Sequence, residues 1–491
     1  MSRINQNVGS MVAQRVLSQQ NMDLSKTLNR LSTGLRIVRG SDDPAGLIAS
    51  ENLRAEKVAI NSAMNNAERA EQVVNVAEGG LQEISSMLVE LQSLVTSTAN
   101  EAGVSNEEKE ANQLQIDSIL QSIDRIANST SFQGIKLLNG NFEYTTNGVD
   151  QTEIDDLKIN SAKLSNAAGS SMNVDVTLVD SAATGAAFLL DAGTTIDTNG
   201  AGQVTFEITG NEGTQQFTFA EGTAIADVAN AINSFTDALG VTATSAAAGD
   251  DVQIDSTGYG TDQFVRVRQL SDNGGSNFVS SAANGAAVND LKAFGADAEV
   301  NINGISATTN GLQARVSSEG FDVSLMLDSA FAGAGGTGGT SSFSITGGGA
   351  DFNLGPQVNL ANKVSLGIDA VTTGSLGSSA SGTLDSLKAG GLSNVVNGDL
   401  SKAQGVVEDA IKQVSSMRGR LGAFQKNTVG STINSLSIAL ENTSAAESVI
   451  RDADFAAETA NMTRAQILGQ AATQALAMAN NQPSSVLSLL G

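Results

Sequence analysis

Between Ile60 and Val95 the apolar residues fall at Ile60, Ala63, Ala67, Ala70, Val74, Ala77, Leu81, Ile84, Leu88, Leu91 and Val95, in unbroken steps of three and four. Five heptads of that spacing define one apolar seam along a helix, the pattern of a coiled coil or a long bundle. At 1.5 Å per residue such a helix is roughly 50 Å long. Gly79–Gly80 weakens it by about 1 kcal/mol per glycine relative to alanine. A rod of this kind cannot bury its stripe alone, so the chain must supply partner helices.

Both ends of the chain supply them. Ile116, Ile119, Ile123 and Ile126 repeat the spacing. Asn106 followed by Glu107, Glu108 and Glu110 predicts a cap at Asn106 with acids in the first turn. Towards the C-terminus, Val407, Ala410, Val414, Met417, Leu421 and Phe424 form one seam. Val429, Ile433, Leu436, Leu440, Thr443 and Ile450 form another, displaced by about one residue, a slip that locally alters supercoiling. In residues 1–41 the apolar positions are Ile4, Val8 and Met11, then Leu17, Leu24, Leu28, Leu31 and Leu35, with six bases to one acid. Residues 450–491 are crowded with alanine, and Pro483 predicts the helix end before an apolar tail of Val486, Leu487, Leu489 and Leu490. That end reads either as an association surface or as a terminal helix folded onto its own core.

The middle has a different chemistry. Residues 166–399 hold 35 of the 51 glycines, with 24 Asp/Glu against six Lys/Arg, so they carry −18 of the net −25. Residues 204–210 and 215–222 alternate apolar and polar, residues 224–235 are helical in pattern, and further alternation follows to 268. Later strands are predicted in 299–304, 321–327 and 342–347. Acidic, glycine-rich hairpins of this kind make a solvent-facing β domain. The expected fold class is therefore α+β multidomain: paired N- and C-terminal helices as an inner coiled-coil or helical-bundle region, and a central β-rich insertion outside it. The expected domains are 1–42 with 450–491, then 43–165 with 400–449, then 166–399 with a small insertion motif near 204–268.

What the 491 residues lack narrows the function. There is no Cys and no His. That excludes thiol nucleophiles, disulfides, imidazole bases and the usual zinc ligand sets. Paired carboxylates such as Asp155–Asp156 and Asp250–Asp251 lack EF-hand spacing. Glycine pairs such as Gly333 and Gly335 lie in low-complexity sequence rather than between a strand and a helix, so they make no phosphate loop. No catalytic, cofactor or metal residues are assigned. The negative charge argues against nucleic acid or anionic membrane as partner. No apolar run reaches membrane-spanning length, and the N-terminus lacks the apolar core of a cleaved signal peptide. The expectation is a cytosolic protein, or one leaving by a route that needs no cleaved signal.

The residues at the two ends are recognisable. Leu28-Asn29-Arg30-Leu31-Ser32-Thr33-Gly34-Leu35-Arg36-Ile37, Ser41-Asp42-Asp43-Pro44-Ala45-Gly46 and Ser131-Phe132-Gln133-Gly134-Ile135-Lys136-Leu137-Leu138-Asn139-Gly140 resemble the N-terminal region of the bacterial flagellins. Arg418-Gly419-Arg420-Leu421-Gly422-Ala423, Ile450-Arg451-Asp452-Ala453-Asp454-Phe455-Ala456 and the stretch from Gln466 to Leu487 resemble their C-terminal region. The resemblance covers about half the chain, roughly 1–145 and 400–491. Residues 204–268 resemble, more weakly, an insertion motif of flagellins and hook-associated proteins.

The resemblance implies a nested subunit of the flagellar filament, whose ends fold on assembly. It implies export in unfolded form by the flagellar type III apparatus, with a flagellin chaperone, to an extracellular filament. It also implies hook-associated junction and cap proteins as partners besides the chain itself. The residues expected to carry assembly are Ile4, Val8, Met11, Leu24, Leu28, Leu31 and Leu35 with Ile467, Leu468, Leu476, Val486, Leu487 and Leu490. Residues 36–46 resemble the connector between the two inner domains. There Arg36 and Arg39 are expected to pair with Asp42, Asp43, Asp452 or Asp454, and Pro44 to break the helix. One departure stands out. Where many flagellins present Arg-x-Arg-Glu-Leu to a vertebrate innate receptor, this chain has Glu90, Leu91, Gln92, Ser93 and Leu94, which implies weak or absent activation. A hook–filament junction protein and a surface adhesin share the same terminal helices and remain the alternatives.

Overall fold

The computed structural model describes residues 6–100, 103–165, 170–190, 195–196, 202–245, 251–271, 279–280, 288–336, 338–378 and 381–487. The chain divides into two compact units. The first comprises Met1–Glu71, Asn353–Asn362 and Gln425–Gly491; the second comprises Gln72–Phe352 and Lys363–Phe424.

The first unit is helical. Helix α1 (Val8–Thr33) ends where Gly34 takes a left-handed conformation (φ 74°), so its N–H reaches the Arg30 carbonyl. Helix α2 (Pro44–Thr98) begins on the proline expected to break the helix. A first-turn proline forfeits only an N–H that has no helical partner anyway. At 55 residues α2 is about 80 Å long, well beyond the predicted seam. All eleven seam positions from Ile60 to Val95 are buried. In this unit Ile60 and Ala63 pack against Leu436, with Met64, Ala439 and Leu440 around them.

The second unit continues α2 and adds helix α3 (Asn106–Ser129). The cap of α3 is Ser105, one residue before the Asn106 predicted. Ser105 and Glu108 form a reciprocal capping box, satisfying two backbone donors where Asn106 would satisfy one. Glycine at position 80 allows close packing. A Cβ there would lie 2.7 Å from Thr130 Oγ1 and 2.8 Å from a Leu138 methyl, whereas one at Gly79 meets nothing within 4 Å.

The β part of this unit has two cores. One lies between two antiparallel sheets. The first sheet runs in the order Asp290–Phe294, Phe264–Gln269, Gln203–Thr209, Thr214–Ala220. The second runs Val279–Ser280, Thr184–Leu190, Asp251–Tyr259, Val241–Ser245. Helix α4 (Ile225–Asn233) packs into this core through Ile225, Val228 and Ile232, followed by the single turn α5 (Thr236–Leu239). The other core gathers Val174, Val176, Val323, Leu325, Phe343 and Ile345, beside the short helix α6 (Ser329–Ala332). Among its strands, Ile154–Ala162 and Met172–Asp180 were not expected from the sequence.

The C-terminal helices add one feature and correct one expectation. Helix α7 (Leu400–Ala423) is followed by π turns over Phe424–Gly430 and then by α8 (Ser431–Arg451). The slip between the two apolar seams falls on this local widening of the helix. Helix α9 (Phe455–Leu487) runs through Pro483, which was expected to end it.

Candidate assembly surface

The terminal helices α1 and α9 pair along their length. The pairing explains how α9 tolerates its proline. Pro483 has no N–H to donate to the carbonyl four residues earlier, on Ala479. The Asn7 side-chain amide donates to that carbonyl instead, at 2.6 Å. The other side-chain atom of Asn7 accepts from the Ser10 N–H and caps α1. One side chain therefore repairs α9 and starts α1, and Ser10 Oγ donates to Asn480 Oδ1 beside it.

At the other end of the pair, Arg30 bonds Glu458 at 3.0 Å. Glu458 is buried, yet its second carboxylate oxygen and the Arg30 Nε have no partner. Breaking a buried pair strands a charge and is strongly destabilising. Lys57 with Glu447 (2.6 Å) and Arg451 with Glu51 (2.8 Å) fasten α2 to α8. None of these pairs was legible in the sequence.

The connector is stitched by backbone. Arg36 N–H donates to the Arg451 carbonyl and Ala453 N–H to the Gly34 carbonyl, with Leu35 bridging Asp452. The expected ion pairs of Arg36 and Arg39 with Asp42, Asp43, Asp452 or Asp454 are absent among the described residues. Each acid is engaged otherwise. Asp42 pairs with Lys26 and accepts the Val38 and Arg39 N–H groups. Asp43 accepts from Gly46 N–H, Asp452 from the Ser448 hydroxyl, and Asp454 from the Ala456 and Ala457 N–H groups. The Arg36 guanidinium donates to the Ile450 carbonyl. The backbone bond from Arg39, reinforced by Lys26, holds the Asp42 carboxyl below its usual range.

For all this stitching the pair has almost no core. Thr27 is the buried residue of α1. Val8, Met11 (64%), Val12, Val16, Met22 and Leu28 are exposed on α1, and Phe455, Ile467 (60%), Leu468 and Met478 on α9. Ile48 and Val58 on α2 and Ile438 and Val449 (82%) on α8 extend the exposed apolar surface within the same unit. Of the residues expected to carry assembly, Val8, Met11, Leu28, Ile467 and Leu468 are exposed, and Leu24, Leu31, Leu35 and Leu476 half-buried. Ile4 and Leu490 lie outside the described residues, as do the side chains of Val486 and Leu487. On α2, Glu90 and Ser93 are exposed or nearly so, Gln92 and Leu94 half-buried and Leu91 buried. The arrangement suits polymer contacts. Among the described residues no group of three or more acidic side chains is placed to hold a metal ion.

Residues 4–143 match the model of the bacterial flagellin N-terminal helical region, and residues 404–490 that of the C-terminal helical region. Residues 205–258 match the flagellin hook IN motif. B-type flagellin of Pseudomonas aeruginosa is 31% identical over 541 aligned residues, covering 99% of each chain. Flagellin A of Vibrio anguillarum is 28% identical over 496, again covering 99% of each. Among solved structures, the D1-D2-D3 domains of the flagellar cap protein FliD from Escherichia coli align over 55% of this chain and 63% of that one. The identity is 13% and the TM-score 0.28, too slight a likeness to bear on the fold.

Proposed function

The chain belongs to the bacterial flagellins and is a structural subunit of the extracellular flagellar filament that drives swimming; from that premise we propose that the α1–α9 pair is its polymerisation surface. The carrying observation is the missing core. Among the described residues α1 buries one threonine and leaves six apolar side chains exposed, a core that neighbouring copies would complete. The pair therefore folds on assembly, through a heterologous contact repeated along a helix.

Around this surface the subunit is nested: 1–42 with 450–491 innermost, 43–165 with 400–449 next, and 166–399 facing water. The −18 charge of that outer region limits filament bundling, more weakly as salt rises. An unfolded, disulfide-free chain suits passage through the flagellar type III apparatus with a dedicated chaperone. Hook-associated junction and cap proteins would meet the same terminal helices. The subunit has no catalytic role, and Glu90, Gln92 and Ser93 leave activation of the innate receptor weak or absent.

Replacing Met11 and Ile467 by Asp tests the surface. The variant should fail to form filaments in sedimentation and electron microscopy while its central β regions melt as in the unaltered chain. Normal filaments from it would refute the assignment.

A further inference from the structure

Residues 166–399 contain six cations: Arg266, Arg268, Lys292, Arg315, Lys363 and Lys388. Three of them meet on one sheet edge. Val265 and Val267 point into the core, so alternation turns Phe264, Arg266 and Arg268 outward. The register sets Phe264 opposite Phe294, Arg266 opposite Lys292 and Arg268 opposite Asp290. Lys292 Nζ lies 3.8 Å from the centre of the Phe264 ring and 4.7 Å from that of Phe294. Phe294 is 60% exposed. Cations directly opposite one another are unfavourable in a sheet, and the Lys292 ammonium rests over the two rings and not against a carboxylate. Arg266 is held by Asp290 and Arg268 by Glu207. Lys292 has no ion pair among the described residues, so the face is one charge positive inside a strongly acidic region.

The opposite edge of the same sheet is the strand Thr214–Ala220, three strands and about 15 Å away. Against it packs α5. Glu212, whose N–H donates to the Leu239 carbonyl, and Asp237 stand at that end, neither with an ion pair among the described residues. Phe235 is exposed there, edge-on to Phe217 at 5.5 Å. One domain thus carries a cationic, aromatic edge and an acidic, aromatic end.

We propose that this domain docks head to tail with the same domain of a neighbouring copy, Lys292, Phe294 and Arg266 receiving the Glu212, Phe235 and Asp237 end. The inference rests on the filament reading with 166–399 outward. A free polyanion is the less favoured occupant, because a region of charge −18 repels it during approach. A neighbouring copy is equally charged, but the terminal helices already hold it, so tethering supplies the local concentration. The contact is heterologous and, like the assembly itself, does not close.

The absence of cysteine makes the test clean. Lys292→Cys and Asp237→Cys chains are mixed, polymerised and treated with a short bismaleimide. Cross-linked pairs containing one chain of each kind, formed in filaments and not in dissociated subunits, are expected. Lys292→Glu should lower the temperature at which filaments dissociate, and adding Asp237→Lys should restore it. Filaments without cross-links overturn the docking and leave the filament reading standing. Failure of the unaltered chain to form filaments overturns both. Cross-links that join only one Lys292→Cys chain to another overturn the head-to-tail arrangement, and Lys292-dependent binding of dextran sulfate without cross-links overturns it in favour of a polyanion.

Discussion

The π turns at Phe424–Gly430 make a sharp prediction about helical phase. The seam advances by three or four residues as far as Phe424, then by five to Val429. At 100° per residue, a five-residue step in an unbroken α-helix leaves Val429 about 140° off the seam. Yet Val429 and Leu436 are both buried. The widened turns therefore cancel the surplus residue. Deleting Asn427 turns the step of five into a step of four, about 40° from the seam, which an α-helix accommodates. The deletion should remove the π turns and cost no more than about 1 kcal/mol, since the same side chains stay buried. Inserting one alanine after Asn427 turns the step into six, about 120° off on the other side. That insertion should expose Val429 and Leu436 at about 1.5–3 kcal/mol each, roughly 3–6 kcal/mol together. Thermal unfolding of the full chain followed by far-ultraviolet circular dichroism separates the two. If the insertion melts with the unaltered chain, or the deletion costs as much as the insertion, the phase argument is wrong.

Two further outcomes follow from the second unit. Gly79→Ala should stabilise by about 1 kcal/mol through helix propensity, whereas Gly80→Ala should destabilise by about 1 kcal/mol or more because its Cβ meets Thr130 and Leu138; paired denaturant melts check the opposite signs. The second concerns acid. Burial alone would raise the Asp322 carboxyl, but the bonds from Arg315 and Asn160 outweigh it and hold the group below its usual value. The Arg266 bond likewise lowers Asp290. A depressed folded-state carboxyl stabilises above its unfolded pKa, about 3.9 for Asp, and that stabilisation is lost as pH falls through the lower folded value. Melting temperature should therefore hold from about pH 7 to about 4 and fall below it, with a shallower fall in Asp322→Asn.

The long seam was legible because a three-and-four period is a local property. Each of the eleven positions needs only its helical neighbours to declare its face, and all eleven are buried. The π turns were half legible, since the step of five is visible in the residues but widening and supercoiling accommodate it equally well. The strand Ile154–Ala162 was not legible, because its ladder shifts register twice, between Asp322 and Val323 and between Met326 and Leu327. A register shift moves the inward set from one alternation to the other, so no single period runs through the strand. The α9 terminus failed for a different reason. Proline normally ends a helix because a carbonyl is left unpaired, and the donor that pairs it here, Asn7, is 472 residues away. Arg30 and Glu458 are 428 apart. Such pairs leave no periodic trace because their partners are set by how the two chain ends meet. The exposed stripe of α1 lies between these cases. Its apolar residues are as visible in the sequence as those of α2, but among the described residues Val8, Met11 and Leu28 stay exposed while Leu24, Leu31 and Leu35 are half-buried. A local period declares which face is apolar, but not whether that face is covered within the subunit or, as proposed for α1 and α9, by another copy.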